Sequence, residues 1–577
     1  MPNTSNMDFI VDCLAYITRE NRETVLNNIS TNRISNILDV LLDNRGISLD
    51  FFNNFEKEII SPYELVNAKE AADLICKYLN NKNALIYIYA DYDCDGINAG
   101  YVLYDVLRKY KANIVLKYPN RNEGYGLSMD YCNMILDERN GQDILMITVD
   151  NGITKTEEVK YLKENGVEVI VTDHHLALKE LPPCLIVDPF NPEGECDKYK
   201  HLSGCGVAFK VAELVQHNYN EDNMYQYTAN VALSILSDVM PMSKENMAFL
   251  MFGFNIINGP NCPEGLEALK KLEKVDMFSF KDLLWSVNPI INACGRMGDS
   301  EAASRLFLLD EYQSADEIAQ NAENINAQRK KLTKEAVETL SKMTFDNNIC
   351  LIDFTDRPQG LLGILAGKAQ EMFNKPSVVY AMNDAGICHG SLRSSINVIP
   401  LFNDLKKNNI IIDFAGHANA GVVTFDISCK EEIEKYFNEH IEIVKTEQEE
   451  SQAISIDFDI DITEMNKYML ALTNLIPYDC KEISAPNICI RNCILKSLRR
   501  FKSGYTELRF QNDNAIFEAS IYGDMANKFK DFIENCNEEN VAFDLVGFIQ
   551  KRAFFSSRFQ TPVYTIGISS MKRSEEE

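Results

Sequence analysis

Residues 84–95 read ALIYIYADYDCD, an apolar run that leads directly into three aspartates. The apolar part predicts a buried strand, so the acids would lie at its carboxyl end. Later apolar runs lead into further polar side chains in the same way: Asp150, Asp173, His174, His175 and Asp238. Since strands of an open parallel sheet end on one common edge, these groups are expected to converge in space.

Strand-like and helix-like patterns alternate between residues 84 and 190, which predicts βαβ units and an α/β fold with a parallel sheet. A polar helix at about 314–343, opened by a capping box of Ser314 and Glu317, would connect two domains. Beyond it we expect a smaller α/β unit and then many short strands, typical of a small β-barrel. The expected segments are 1–60 (N-terminal helical segment), 61–265 (core), 266–343 (linking region with the connector helix), 344–445 (smaller α/β domain) and 446–577 (barrel).

The net charge of −28 argues against a surface that attracts DNA or anionic membranes as a whole. Nucleic-acid binding would therefore be local and assisted by metal. No leader-like start and no membrane-length apolar run is present, so we expect a cytoplasmic protein without a membrane partner. The sixteen cysteines contain no C-x-x-C pair and are expected to be reduced and mostly buried. Zinc held by Cys489 with Cys493, or by His201 with Cys205, is the less favoured alternative.

The polar groups after the strands predict a metal site. Asp91, Asp93 and Asp95 repel one another unless a cation neutralises them. Carboxylates alone suit Mg²⁺, whereas an added imidazole shifts the preference toward Mn²⁺. Taken singly, Asp150 or Asp238 is explained equally well as a turn former or helix cap. Together, the acids and histidines favour a divalent metal and hydrolysis.

The order of four short motifs, DYDCDG (91–96), VDNG (149–152), TDHH (172–175) and SD (237–238), resembles that of the DHH phosphoesterases. Three further stretches, 119–127, 292–298 and 390–394, resemble the RecJ branch of that family, which consists of single-strand-specific exonucleases. The resemblance runs from about residue 60 to the end. It implies a DHH core, a long connecting helix, a DHH-associated α/β domain and an OB-type barrel.

The resemblance also implies the site. Two ions, Mn²⁺ or Mg²⁺, would be held by Asp93, Asp95, Asp150, His174 and Asp238. His175 would contact the scissile phosphate, while Asp91 and Asp173 would orient the ligands.

A separate set would bind substrate, chiefly by gripping the terminal 5′ phosphate: Arg121, Asn292, Arg296, Ser391, Arg393 and His417. The Gly-rich turn around His417 departs from the family pattern at Ala415 and Val422, so a backbone nest for phosphate would be narrower here.

The last segment interleaves cations with aromatic residues, as a stacking groove for single strands requires. The alternative is a pair of exposed hairpins whose aromatic residues belong to the core. The residues concerned are Arg491, Lys496, Arg499, Arg500, Phe501, Lys502, Tyr505, Lys551, Arg552, Phe554, Phe555, Arg558 and Phe559.

The implied function is 5′ to 3′ degradation of single-stranded DNA to 5′-mononucleotides, in DNA repair and recombination. A monomer working beside a single-strand-binding protein and a RecQ-type helicase is expected. The alternatives are a DHH phosphodiesterase acting on short RNA oligomers or cyclic dinucleotides, and a noncatalytic replisome scaffold. Pyrophosphatase activity ranks last.

Overall fold

The structure is a computed structural model. It describes residues 23, 34–48, 51, 54–110, 113–119, 126–177, 180–192, 197–309, 312–417, 419–442, 456–461, 486–500, 506–512, 515–521, 541–551 and 564–574.

The core is built on five parallel strands in the spatial order β2-β1-β3-β4-β5. Central strands β1 and β3 are almost wholly buried, as their apolar sequences predict. The strands are β1 (Ala84–Ala90), β2 (Asn113–Lys117), β3 (Asp143–Val149), β4 (Glu168–Thr172) and β5 (Leu185–Val187).

Helices cover both faces of this sheet, and most of them belong to one continuous apolar core. The helices before the connector are α1 (Ile34–Asp43), α2 (Ala68–Leu79), α3 (Cys94–Arg108), α4 (Met129–Glu138), α5 (Thr156–Glu164), α6 (Gly204–Asn218), α7 (Thr228–Ser237), α8 (Lys244–Ile257), α9 (Glu264–Glu273), α10 (Asn288–Arg296) and α11 (Ser300–Ser304). Short 3₁₀ turns lie at Phe55–Glu58, Pro62–Glu64, Asp197–Tyr199 and Tyr225–Tyr227. A helical turn, Phe280–Asp282, and a π-helical turn, Leu283–Val287, lead into α10.

The predicted connector is confirmed as α12 (Ala315–Leu340), with both hydrogen bonds of the Ser314–Glu317 capping box in place. Its amino-terminal half packs on the core and its carboxyl-terminal half on the smaller domain, through Ile318 and Leu340 respectively. One helix thus positions the two domains relative to each other.

The smaller domain has a five-stranded mixed sheet in the order β6-β7-β8-β10-β9. Only the β6–β7 pair is parallel. The elements are β6 (Cys350–Asp353), a 3₁₀ turn (Gln359–Leu361), α13 (Leu362–Phe373), β7 (Ser377–Met382), β8 (Ile387–Arg393), α14 (Ile399–Lys407), β9 (Asp413–His417), β10 (Ala420–Asp426), a 3₁₀ turn (Ile427–Cys429) and α15 (Lys430–His440). Helices α14 and α15 bury one face, whereas α13 packs on the other face against β6, β7 and β8.

The predicted barrel is also confirmed. Five strands close through a β12–β15 pairing, and β11 adds to β12, as in an OB-type fold. The strands are β11 (Phe458–Asp459), β12 (Ile488–Arg500), β13 (Thr506–Asn512), β14 (Ala515–Ile521), β15 (Ala542–Lys551) and β16 (Tyr564–Arg573). Arg45, just after α1, forms a 2.8 Å ion pair with Asp457 beside the barrel. Among the described helices, none is long and apolar enough to cross a membrane.

Candidate metal centre and substrate-binding surface

The carboxyl end of the parallel sheet places the motif residues in register. Backbone hydrogen bonds continue one step past the strands: Asp91 N donates to Val149 O, Asp150 N to Thr172 O and Asp173 N to Val187 O, at 3.3, 3.0 and 3.1 Å. Asp150 has φ +59°, a left-handed conformation that turns the chain sharply at the sheet edge. Asp93 then caps α3 by accepting a hydrogen bond from Gly96 N at 3.1 Å.

Asp95 is fully buried and held by the protein itself. Its carboxylate accepts hydrogen bonds from Gly204 N at 2.8 Å and Cys205 N at 2.7 Å, both at the amino terminus of α6. The Ser234 hydroxyl of α7 donates to the same carboxylate. These donors favour the charged form and fix one oxygen toward the site.

His174 lies at the centre of the acids. Its Nε2 is 3.1 Å from Asp150 Oδ1, 3.6 Å from Asp95 Oδ2 and 3.7 Å from Asp238 Oδ2. Within the described residues, neither ring nitrogen makes a hydrogen bond although the side chain is buried. A buried nitrogen without a hydrogen-bond partner, surrounded by carboxylate oxygens, is the donor set expected of a divalent transition-metal site.

The ligand atoms form three groups within 4.8 Å, and two of these groups share no residue. One of the two contains Asp95, His174 and Asp238, and the other contains Asp91, Asp93 and Asp150. The structure therefore brings together all five predicted ligands. It also adds an oxygen from Asp91, for which an orienting role was predicted.

The carboxylates of this cluster repel one another. Burial and the charges of neighbouring carboxylates raise the pKa of Asp150 and of Asp238 well above the usual range. Burial also raises the pKa of Asp95 and lowers that of His174. Since the buried acids resist ionising together, a cation that neutralises them would bind strongly.

Asp173, for which an orienting role was predicted, contacts both histidines of its motif. Its Oδ1 accepts hydrogen bonds from the backbone amides of His174 and His175, at 2.8 and 3.2 Å, and lies 2.7 Å from His175 Nδ1. Its Oδ2 accepts from Ile153 N at 3.0 Å. Burial alone would lower the pKa of His175, but the hydrogen bond between its ring and Asp173, together with the charges of the nearby acids, raises this pKa to about 9. The cationic ring suits contact with a phosphate.

Asn292 and Arg296 lie on α10 beside the cluster. Asn292 Oδ1 accepts from Cys94 N at 2.9 Å, and its Nδ2 donates to Ser237 Oγ at 3.1 Å. These bonds tie the DYDCDG motif to the SD motif, so the Asn292 amide positions the predicted ligands. Substrate binding by Asn292 stays a prediction. Arg296 Nη1 donates to Gly360 O at 3.2 Å and is half-buried at the domain junction.

Ser391 and Arg393 lie half-buried in β8, on the sheet face against which the start of α13 packs. Both flank Gly363, whose added Cβ would be 3.3 Å from Arg393 Nη2 and 3.7 Å from Ser391 Oγ. Arg393 Nη1 donates to Leu392 O at 2.8 Å, and burial lowers the pKa of its guanidinium group. The two predicted phosphate-binding residues therefore lie on one face, next to the junction that holds Arg296.

The turn that departs from the family pattern lies on the same face. Val422, 55% exposed, pairs with Ser391 on one side and with Ala415 on the other. The Val422 side chain therefore occupies the surface next to Ser391. His417 ends β9, and nothing is described of its side chain; Arg121 lies outside the described residues.

Part of the predicted cationic and aromatic groove lies among the described residues of the barrel. Arg491 pairs with Asp459 at 3.0 Å and with Asp544 at 3.3 Å, so its charge is engaged within the barrel. Lys496 and Arg499 lie on β12. The backbones of Arg500 and Lys551 end strands, and the others lie outside the described residues: Phe501, Lys502, Tyr505, Arg552, Phe554, Phe555, Arg558 and Phe559.

The structure does not support the zinc alternatives. Nε2 of His201 lies 2.8 Å from Glu245 Oε2. Cys205 is fully buried, and its backbone amide donates a hydrogen bond to Asp95. Cys489 and Cys493 are buried free thiols of β12, and none of the potential metal groups among the described residues contains a cysteine.

Two features of the site were missed from sequence. Gly204 admits Asp150, because an added Cβ would lie 2.5 Å from Asp150 Oδ1. Gly295 lets α10 approach the first motif, since its Cβ would lie 1.9 Å from Tyr92 O. The only signal in the sequence was the presence of glycine near a helix start and near a helix end.

Comparison with known proteins agrees with this geometry. Residues 85–236 match the family model described as DHH family, N-terminal domain. The single-stranded-DNA-specific exonuclease RecJ of Bacillus subtilis is 28% identical over 483 residues, or 82% of this chain. The chain spans 60% of the length of that relative.

Two solved structures share the fold. RecJ from Thermus thermophilus, in complex with Mn²⁺, has a TM-score of 0.73 at 20% identity, over 100% of this chain and 79% of that chain. An exonuclease RecJ bound to manganese has a TM-score of 0.55 at 28% identity, over 64% of this chain and 94% of that chain. The family match, the converging motifs and the shared architecture make this chain similar to the DHH phosphoesterases, and to RecJ in particular.

Proposed function

We propose that this protein is a divalent-metal-dependent exonuclease that removes 5′-mononucleotides from the 5′ end of single-stranded DNA. The observation that carries the proposal is the convergence of Asp93, Asp95, Asp150, His174 and Asp238 on one sheet edge. The relatives named as single-stranded-DNA-specific exonucleases support the choice of substrate.

Two groups of ligand atoms without a shared residue suit two ions, Mn²⁺ or Mg²⁺. When bound, such ions lower the pKa of a coordinated water and stabilise the charge on the attacking and leaving oxygens. Manganese in the structure of the 28% identical relative supports this assignment.

The protein supplies orientation and substrate contacts. Asp173 holds Nδ1 of His175, so Nε2 is the ring nitrogen available to donate to the scissile phosphate. Asn292 fixes the first motif against Ser237. Arg296, Ser391 and Arg393 are proposed to hold the 5′ phosphate, because guanidinium and hydroxyl groups suit phosphate oxygens.

The expected partners follow from the same resemblance. Single-stranded DNA is the proposed substrate, and a single-strand-binding protein and a RecQ-type helicase are the proposed partners of a monomeric enzyme. The barrel supports long strands over dinucleotides, because barrels of the OB type bind extended single strands.

A time course on 5′-labelled and 3′-labelled single strands tests the proposal, with Mn²⁺, Mg²⁺ or chelator. We expect immediate release of labelled mononucleotide from the 5′-labelled strand and a ladder of shortening products from the 3′-labelled strand. No cleavage should occur in chelator. Duplex, RNA and cyclic dinucleotide controls complete the set. Cleavage confined to dinucleotides would reject the assignment. Absence of cleavage with Mn²⁺ and with Mg²⁺ would also reject it.

A further inference from the structure

The chain has a single tryptophan, Trp285, and its side chain is 64% exposed. It lies in the π-helical turn Leu283–Val287, anchored on either side by the fully buried Leu283 and Val287. Such turns occur frequently at functional sites. One exposed apolar side chain is ordinary on a protein surface, so its position decides whether it has a role.

Trp285 begins a surface that ends at the metal cluster. The chain is helical without a break from Phe280 to Arg296. Along this stretch the solvent-accessible residues at steps of four, three and four are Trp285, Pro289, Asn292 and Arg296. This spacing puts them on one helical face. Asn292 lies seven positions after Trp285, which corresponds to roughly 10 Å along the helix axis.

The other end of this face meets the barrel. Lys281, one turn before Trp285, places its ammonium group 5.0 Å from the centre of the Phe548 ring in β15. Trp285 therefore lies on the surface between the barrel and the carboxylate cluster. A strand running from the cluster toward the barrel would cross it.

We propose that Trp285 is a stacking platform for a base of the single-stranded substrate, about three stacked nucleotides from the phosphate at the metal cluster, at about 3.4 Å per nucleotide. The inference rests on the proposed function and adds a specific contact to it. Indole stacks on any base, so this contact would be independent of sequence. It would also resist salt, which matters for a chain of net charge −28.

Because Trp285 is the sole tryptophan, its fluorescence reports this contact directly. Emission is titrated with a 5′-phosphorylated oligothymidylate in chelator, so that no strand is cut. We expect saturable quenching that persists at raised salt once binding is complete. As a matched control, Trp285→Phe with Tyr63→Trp moves the indole to the exposed turn Pro62–Glu64, and its emission should not change.

A second measurement locates the base. A single abasic site is walked from the 5′ end, and affinity is followed by anisotropy of a 3′ dye. Affinity for the wild type should fall roughly 5- to 100-fold at one or two positions near the third nucleotide. In Trp285→Ala the same abasic sites should have no further effect, because the two changes remove one interaction.

The outcomes separate the two proposals. Normal 5′ to 3′ degradation with unchanged Trp285 emission, and an unaltered abasic profile in Trp285→Ala, would overturn the stacking role and leave the exonuclease intact. Absence of both DNA binding and hydrolysis in the wild type would overturn both. Quenching of Trp285 in the wild type, together with an abasic position whose effect on affinity disappears in Trp285→Ala, would establish the platform.

Discussion

Asp173 Oδ1 and His175 Nδ1 are 2.7 Å apart, and the same oxygen accepts a hydrogen bond from the backbone amide of His175. The pair fixes both the ring and the loop that carries it. Since the carboxylate is buried while the imidazole is 46% exposed, Asp173 belongs to the scaffold and His175 is accessible to solvent beside the metal cluster.

Asp173→Asn should lower kcat on single-stranded DNA about 10- to 100-fold, because an amide no longer holds the ring as a carboxylate does. The fold should persist, since the amide oxygen still accepts from the backbone amides of His174 and His175 and only the hydrogen bond from Ile153 N is lost. Kinetics on 5′-labelled strands measure the effect. Asp143→Asn, at the opposite end of β3, is the control and should match the wild type. Equal rates in both variants would remove the orienting role.

Asp150→Ala should abolish hydrolysis and leave the metal-free protein folded, because the change relieves repulsion among buried acids. Mn²⁺ should raise the Tm of the wild type, as any ligand of the native state does, but not that of the variant. Differential scanning fluorimetry with and without Mn²⁺ checks this. The metal assignment is falsified if the variant retains turnover.

Arg393→Ala should weaken the preference for 5′-phosphorylated ends about tenfold, because a charge-assisted contact to phosphate is lost. Competition between phosphorylated and hydroxyl-ended strands measures this preference. Arg509→Ala, an exposed arginine paired with Glu518 on the barrel, supplies the control. An undiminished preference in Arg393→Ala would reject its phosphate-binding role.

Gly204→Ala should displace Asp150, because the new Cβ would lie 2.5 Å from its Oδ1. Loss of the Mn²⁺-dependent Tm shift and of activity is expected, with destabilisation of about 1–3 kcal/mol. Gly367→Ala in α13 meets no atom within 4 Å and should stabilise by about 0.5–1 kcal/mol through helix propensity. Identical behaviour of the two variants would contradict the close approach.

Glu213 in α6 gives a pH-dependent prediction. Burial raises its pKa to about 7, and within the described residues its Oε2 makes no hydrogen bond. A folded pKa above the unfolded value means that stability is lost as pH rises from about 4.5 through 7.

Glu213→Gln, a mimic of the protonated acid, should therefore stabilise the protein by on the order of 2–3 kcal/mol at pH 8. At pH 5 the variant and the wild type should nearly coincide. Thermal unfolding at the two pH values tests this. A difference between them that does not change with pH would show that Glu213 is ionised in both states.

Much of the architecture was predictable because it depends on local pattern. The buried runs that became β1, β3 and β4 and the capping box of α12 depend on residues close in sequence. The convergence of four of the predicted ligands was foreseeable too, since Asp93, Asp95, Asp150 and His174 follow these runs, whereas Asp238 ends helix α7. The position of Ser391 and Arg393 beside the start of α13 was not, because it depends on how that helix packs on β8.

Asn292 illustrates the limit. The resemblance implied substrate contact for this residue, and the structure adds that its amide oxygen accepts a hydrogen bond from Cys94 N, 198 residues away in sequence. No local signal encodes a hydrogen bond between such distant residues.

The sequence by itself determined that acids and histidines follow buried strands, and hence that a divalent-metal site forms at one sheet edge. Only the tertiary structure decided how Asp95 is held by Gly204 and Cys205, and that Trp285 lies between the metal cluster and the barrel. The physical reason is that strand periodicity is set by residues a few positions apart. The hydrogen bonds that hold Asp95 and the position of Trp285 depend on packing among helices and strands that meet only in the folded chain.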